Sequence, residues 1–175
     1  MVDRMRRAAL FLIAFVLPFV LPVAASPAQA ASAPAPVMVG SPAPAFIRPG
    51  LDGKPVSLRS YRGKLVLVDF WASWCAPCIV AMPELIGLQK KHAGKLQVIG
   101  VSMDEDAADA RAVAARFAFN YPLLMGDAKF GHRFGGILGM PSAFLIGRDG
   151  RIVKILRGEP KKGELDQAIQ SALAS

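Results

Sequence analysis

Two cysteines occur in this 175-residue chain, Cys75 and Cys78, and only Ala76 and Pro77 stand between them. Sulfurs at this spacing can close into a small ring or open to a dithiol, and the difference between those states is two electrons. The apolar run Leu65–Trp71 before the pair reads as a strand buried on both faces, and Ile79, Met82, Leu85 and Ile86 after it recur at helical spacing. Cys75 therefore falls at a helix N-terminus, where unpaired amides and the positive end of the helix dipole favour thiolate over thiol. The thiolate is the attacking species in disulfide exchange. Cys78, about one turn on, faces the same side and can close on Cys75, releasing a partner held through a mixed disulfide. Pro77 occupies the first helical turn, where its missing N–H is not needed, and it restricts the shapes of the ring.

Other uses of two cysteines are disfavoured. A structural zinc site needs two more ligands, and neither a second cysteine pair nor a nearby histidine pair is present. Covalent haem attachment needs His directly after the second Cys, where Ile79 stands. A purely structural disulfide is the stronger rival, but so short a loop removes little chain entropy when it closes. His92 and His132 read as surface residues, and Met82, Met103, Met125 and Met140 as apolar packing rather than copper ligands. No metal or cofactor is expected.

The elements that must position the pair follow from periodicity. Phe46 to Leu58 alternates apolar and polar around Asp52-Gly53, the signature of a short hairpin with a tight turn. After the first helix, kinked near Pro83 and closed at Gly94, Leu96–Ser102 reads as a second buried strand. Asp104 is expected to cap a helix over 105–119 that turns Val113, Ala114 and Phe117 inward. A short strand over 121–125, a short helix over 128–134 and a loop to Met140-Pro141 come next. Strands over 143–146 and 151–156 flank the turn Arg148-Asp149-Gly150, and Leu165, Ile169 and Leu173 mark a closing helix. The expectation is an α/β fold with parallel units first and an antiparallel hairpin and helix last.

Residues 1–30 place Arg4, Arg6 and Arg7 before an apolar stretch broken by Pro18 and Pro22, with Ala28-Gln29-Ala30 as a small-x-small cleavage pattern. They are expected to be a cleaved signal peptide or, failing cleavage, an N-terminal membrane anchor. Arginine-rich flanks stay in the cytoplasm, so a periplasmic or other extracytoplasmic location follows. Residues 31–45 read as an Ala/Pro-rich linker and 46–175 as one domain. The net charge of +8 is spread in ones and twos, without a basic run or interleaved aromatics, so no nucleic-acid partner is expected.

The segment Leu65-Val66-Leu67-Val68-Asp69-Phe70-Trp71-Ala72-Ser73-Trp74-Cys75-Ala76-Pro77-Cys78 resembles the active-site strand and loop of thioredoxins, and Gly139-Met140-Pro141-Ser142-Ala143-Phe144-Leu145-Ile146 resembles their late Gly-x-Pro-x-x-Phe-Leu-Ile segment. The reading of a Cys-x-x-Cys near a β-α-β pattern as thioredoxin-like is itself a general rule. With its export segment and N-terminal hairpin, the chain is similar to the TlpA/ResA type over about residues 37–173. That resemblance implies a thioredoxin fold: a mixed central sheet flanked by helices, with an N-terminal hairpin and a central insertion. It implies an extracytoplasmic thiol:disulfide oxidoreductase, with Cys75 and Cys78 as the redox disulfide. Asp69 matches the buried acid that exchanges protons with the resolving thiol, and Pro141 the cis-proline beside the disulfide. Trp74, Ala76, Pro77 and Met140 border the substrate-docking surface. Expected partners are thiol- or disulfide-containing exported proteins, such as apocytochrome c or copper-site proteins in cytochrome c maturation, with a membrane thiol-electron transporter as donor. The chain departs from the type at Ala81, three residues after Cys78, where many members carry Glu. A disulfide oxidase or isomerase is the alternative. A thiol peroxidase of the AhpC/TSA type is disfavoured by Val68 and Ala72, where its motif has Pro and Thr or Ser, and a Sco-type copper carrier by the two-residue spacing.

Overall fold

The strand Leu65–Trp71 (β3) is apolar at every position but Asp69, and every residue of it is buried. Such a strand must lie inside a sheet covered on both faces. The computed structural model describes residues 37–175 and places β3 at the centre of a five-stranded sheet, in the order β5 (Leu123–Met125), β4 (Leu96–Ser102), β3, β6 (Ser142–Ile146), β7 (Ile152–Arg157). The export segment expected over 1–30 and the linker up to residue 36 lie outside the described residues.

The small hairpin β1 (Ile47–Pro49) and β2 (Pro55–Ser57) comes first. The tight turn expected at Asp52-Gly53 is a five-residue loop, Gly50 to Lys54, closed by Gly50 N–H donating to Lys54 O at 2.7 Å. Leu51 N–H donates to Leu123 O at 2.7 Å, so the loop is shaped by the sheet edge it ties to. A 3-10 turn, Leu58–Tyr61, leads into β3. Then come α1 (Ala76–Lys91), β4 (Leu96–Ser102), α2 (Ala107–Ala114), β5 (Leu123–Met125) and α3 (Ala128–Arg133). β6 (Ser142–Ile146), β7 (Ile152–Arg157) and α4 (Glu164–Ala174) close the chain. β4 runs parallel to β3 and β5 parallel to β4, whereas β6 is antiparallel to β3 and β7 to β6. This mixed sheet flanked by helices, preceded by a hairpin, is the thioredoxin fold. Between β4 and β6 the chain lays down α2, the edge strand β5 and α3.

Strand alternation divides the core. Leu65, Leu67 and Trp71 face a layer containing Met82, Leu85 and Leu88 of α1, Val113 of α2, and Leu165 and Ile169 of α4. Val66, Val68 and Phe70 face the hairpin and α3, where Phe46, Phe70, Phe130, Phe134 and Phe144 stack mostly edge to face. Residues 37–45, which composition assigns to the end of the linker, run beside β7: Gly40 N–H donates to Ile152 O at 2.7 Å, and Ala43 N–H to Gly150 O at 3.0 Å.

The second helix departs from expectation at both ends. Asp106, not Asp104, caps it, accepting from Ala108 N–H at 2.8 Å, and it ends at Ala114 rather than at residue 119. Phe117, Phe119 and Tyr121 stack in succession with centroids 5.7 and 5.2 Å apart. Packing every second ring in one row requires extended backbone, which ends the helix. Among the described residues no helix is long and apolar enough to cross a membrane.

Candidate active site

β3, the central strand, ends at Trp71, and four residues later Cys75 opens α1. Cys75 is the N-cap, with extended backbone (φ −87°, ψ 93°), and its sulfur accepts from Cys78 N–H at 3.3 Å. Its carbonyl accepts the first helical bond, from Ile79 N–H at 3.1 Å. The two sulfurs are joined in a disulfide with the Cα atoms 5.3 Å apart. Both cysteines are buried, while Trp74 beside them is 70% exposed and Ala76 is also exposed. Pro77 is half-buried at the second position of α1, and Pro83 lies inside the helix.

Asp69 shares a strand face with Leu67 and Trp71 and so points toward the α1 layer. Its cross-strand neighbours are Gly100 on β4 and Ala143 on β6, two of the smallest residues available. Among the described residues no side chain or amide donates a hydrogen bond to its carboxyl. Desolvation alone pushes its pKa from 3.8 up to about 7. The space over Gly100 is closely lined: a Cβ there would meet Leu123 Cδ2 at 2.6 Å, Trp71 Nε1 at 3.1 Å and Tyr121 Cε2 at 3.5 Å. Trp71 Nε1–H is buried without an acceptor among the described residues. Burial, with a smaller contribution from the Asp69 charge, moves the Tyr121 hydroxyl above its ordinary pKa. Trp71 and Tyr121 thus line the space over Gly100, the β4 residue that pairs with Asp69.

The Met140–Pro141 peptide is cis, and Pro141 directly precedes β6. Because Ser142 pairs with Phe70 in the antiparallel β3–β6 register, Pro141 lies at the same edge of the sheet as Trp71 and the cysteine loop. Met140 packs against the cluster containing both cysteines. Of the residues singled out from the sequence, Asp69 lies two residues before the end of β3, Trp74 and Cys75 on the loop that follows it, Ala76, Pro77 and Cys78 in the first turn of α1, and Met140 and Pro141 just before the adjoining start of β6.

Sequence reasoning missed Ser73, Gly100, Asp104 and Tyr121. Asp104 had a signal, since it follows the C-terminal end of a parallel strand neighbouring β3, where functional groups of open α/β sheets gather. Tyr121 had none: its place depends on where the stretch after α2 folds back.

The arrangement defines a class: a redox-active cysteine pair opening a helix at the end of a central strand, in a thioredoxin fold. The family model described as Redoxin matches residues 38–171, and the chain belongs to that family. It is 32% identical over 138 residues to the thiol-disulfide oxidoreductase ResA of Geobacillus thermodenitrificans, covering 77% of this chain and 78% of the relative. The thioredoxin-like protein YneN of Bacillus subtilis is 33% identical over 136 residues, covering 76% and 79%. A Chlorobium tepidum structure, provisionally assigned as thiol:disulfide interchange protein DsbE, superposes with a TM-score of 0.73 at 33% identity, covering 78% of this chain and 99% of that one. Within its family the chain is a TlpA/ResA-like thiol-disulfide oxidoreductase, and Cys75 and Cys78 are its redox pair.

Proposed function

We propose that this oxidoreductase works on the extracytoplasmic side, reducing disulfides of exported proteins such as apocytochrome c or copper-site proteins. The observation that carries the mechanism is the cysteine pair at the N-terminus of α1 on the same side of the sheet as a buried carboxyl that receives no hydrogen bond from the described residues. In the dithiol state Cys75, facing the free amides of α1, is the thiolate. It attacks one sulfur of the substrate disulfide, forming a mixed disulfide and releasing the other substrate sulfur as a thiolate that takes up a proton. Asp69, poised near neutrality, then accepts the Cys78 proton, and Cys78 attacks the Cys75 sulfur. The Cys75–Cys78 disulfide forms and the second substrate thiol leaves. Two electrons have passed to substrate, and a membrane thiol-electron transporter supplies two more, which cleave the Cys75–Cys78 disulfide and restore the dithiol.

Pro141 and Met140 offer backbone and an apolar flank to the substrate chain, and Trp74, Ala76 and Pro77 form the opposite rim. The export reading of residues 1–30 and the ResA likeness support the location and the direction of electron flow. Trapping tests the whole reading: in cells, Cys78→Ser is expected to accumulate mixed disulfides through Cys75, with exported proteins as the captured partners, and Cys75→Ser none. Equilibration with glutathione tests direction, and a potential near about −120 mV, that of a strong oxidant, would refute a reductase.

A further inference from the structure

Asp104 is a buried acid that the thiol chemistry above does not use. One carboxylate oxygen accepts from Ser73 N–H at 3.0 Å and from Ser73 Oγ–H at 2.8 Å. The other accepts from Ser102 Oγ–H at 2.7 Å and shares the Ser73 N–H at 3.1 Å. Asp104 N–H donates back to Ser102 Oγ at 3.1 Å, and Met103 N–H donates to Trp71 O at 2.8 Å. Ser73 stands two residues before Cys75 on the turn between β3 and α1. Within that turn Cys75 N–H donates to Ala72 O at 3.1 Å. The exit of β4 therefore grips the cysteine loop at two points, at Trp71 by a neutral backbone bond and at Ser73 by charge-assisted bonds to the Asp104 carboxylate, which are the stronger kind.

We infer that Asp104 is a positioning residue for the redox pair: through Ser73 it holds the turn that sets the Cys75 sulfur against the first amides of α1. The inference rests on the reading in which Cys75 is the attacking sulfur. A thiolate there is stabilised only while Cys78 N–H stays aimed at it, and such bonds weaken steeply with misalignment. Loosening the turn lowers the thiolate fraction even in a chain that stays folded.

The test is the pH dependence of iodoacetamide alkylation in the fully reduced full-length chain, with mass mapping of the cysteine modified. Asp104→Asn is expected to shift the Cys75 profile upward by about half to one pH unit, which is about three- to tenfold less thiolate below the midpoint. Ser73→Ala keeps the backbone N–H bonds and is expected to shift it less in the same direction; it carries the test should Asp104→Asn fail to fold. Asp127→Asn, which removes the cap of α3 (Phe130 N–H to Asp127 Oδ1, 2.6 Å), serves as the control for general loosening and should leave the profile in place. A lowered melting temperature with an unmoved profile would overturn the inference, as would a downward shift, which would mean that the carboxylate acts as a nearby charge and not through Ser73. Alkylation of Cys78 ahead of Cys75 in the unsubstituted chain would overturn the attacking-sulfur reading and the inference with it, and that measurement alone distinguishes the two failures.

Discussion

Replacing Asp69 by Asn should make the protein more stable at alkaline pH and slower at neutral pH. In the unfolded chain this carboxyl titrates near 3.8; in the folded chain desolvation holds it at about 7. Between those values the folded protein keeps a proton that the unfolded chain has lost. The stability this contributes is fully present below pH 3.8, falls as pH rises, and is gone above about 7, where a bare charge lies buried. A shift of about three units at 1.36 kcal/mol each amounts to about 4 kcal/mol, an order-of-magnitude figure. Asn has the same shape without the titration. The stability difference between Asp69→Asn and the parent should therefore grow by about 4 kcal/mol in favour of Asn from pH 3.5 to 8.5, with most of the change between 4 and 7. Guanidinium unfolding of both oxidised proteins across that range measures it, and all other acids cancel in the comparison. Parallel stability curves would refute the argument, because they would mean that Asp69 titrates alike in both states and holds no proton to exchange with Cys78. The cost of keeping Asp is consistent with a functional site that sacrifices stability. Its counterpart is kinetic: if Asp69 takes the Cys78 proton, resolution of a mixed disulfide in Asp69→Asn should slow by about 100-fold at pH 7, measured by stopped flow with a model disulfide.

Three other perturbations separate the fold from the chemistry. Phe70→Ala empties the centre of the five-phenylalanine cluster and should cost about 3–5 kcal/mol in urea unfolding, with the glutathione equilibrium of the cysteines unchanged because that cluster lies on the sheet face opposite α1. Gly100→Ala would put a methyl group 2.6 Å from Leu123 Cδ2, so overpacking should destabilise by about 1–3 kcal/mol, read from the same melts. Asp166 on α4 accepts from Lys91 Nζ at 2.6 Å and His92 Nε2 at 3.0 Å, which holds its pKa near 2, the Lys91 bond contributing most. Its stabilising contribution is present above pH 4 and lost as pH falls through 2, so Asp166→Asn should flatten the acid end of the stability curve, and about 1 M salt should shrink the difference.

Much of the molecule is legible in the residues because its signals are local. β3 and β4 coincide with the apolar runs Leu65–Trp71 and Leu96–Ser102, since a strand covered on both faces needs no alternation to reveal it. The helix after the cysteines, the last hairpin and the closing helix follow from periods of 3.6 and 2 and from Gly-containing turns. The boundaries that shifted are those where distant chain intervenes: the hairpin loop widens to bind Leu123, and α2 stops where Phe117, Phe119 and Tyr121 line up against the sheet.

The same division runs through the site. The sequence by itself determined the redox pair, because strand, Cys-x-x-Cys and helix are contiguous and helix geometry fixes how the two sulfurs meet. It also marked Asp69, an acid in an apolar strand, and Pro141. Tertiary structure alone decided that Gly100 and Ala143 flank that acid without a side-chain donor, that Tyr121 and Trp71 line the space over Gly100, and that Asp104 grips Ser73 across 31 residues of chain. Spacing along the chain can place two sulfurs one helical turn apart, but whether a buried carboxyl is left bare or given four hydrogen bonds depends on which strands lie beside it.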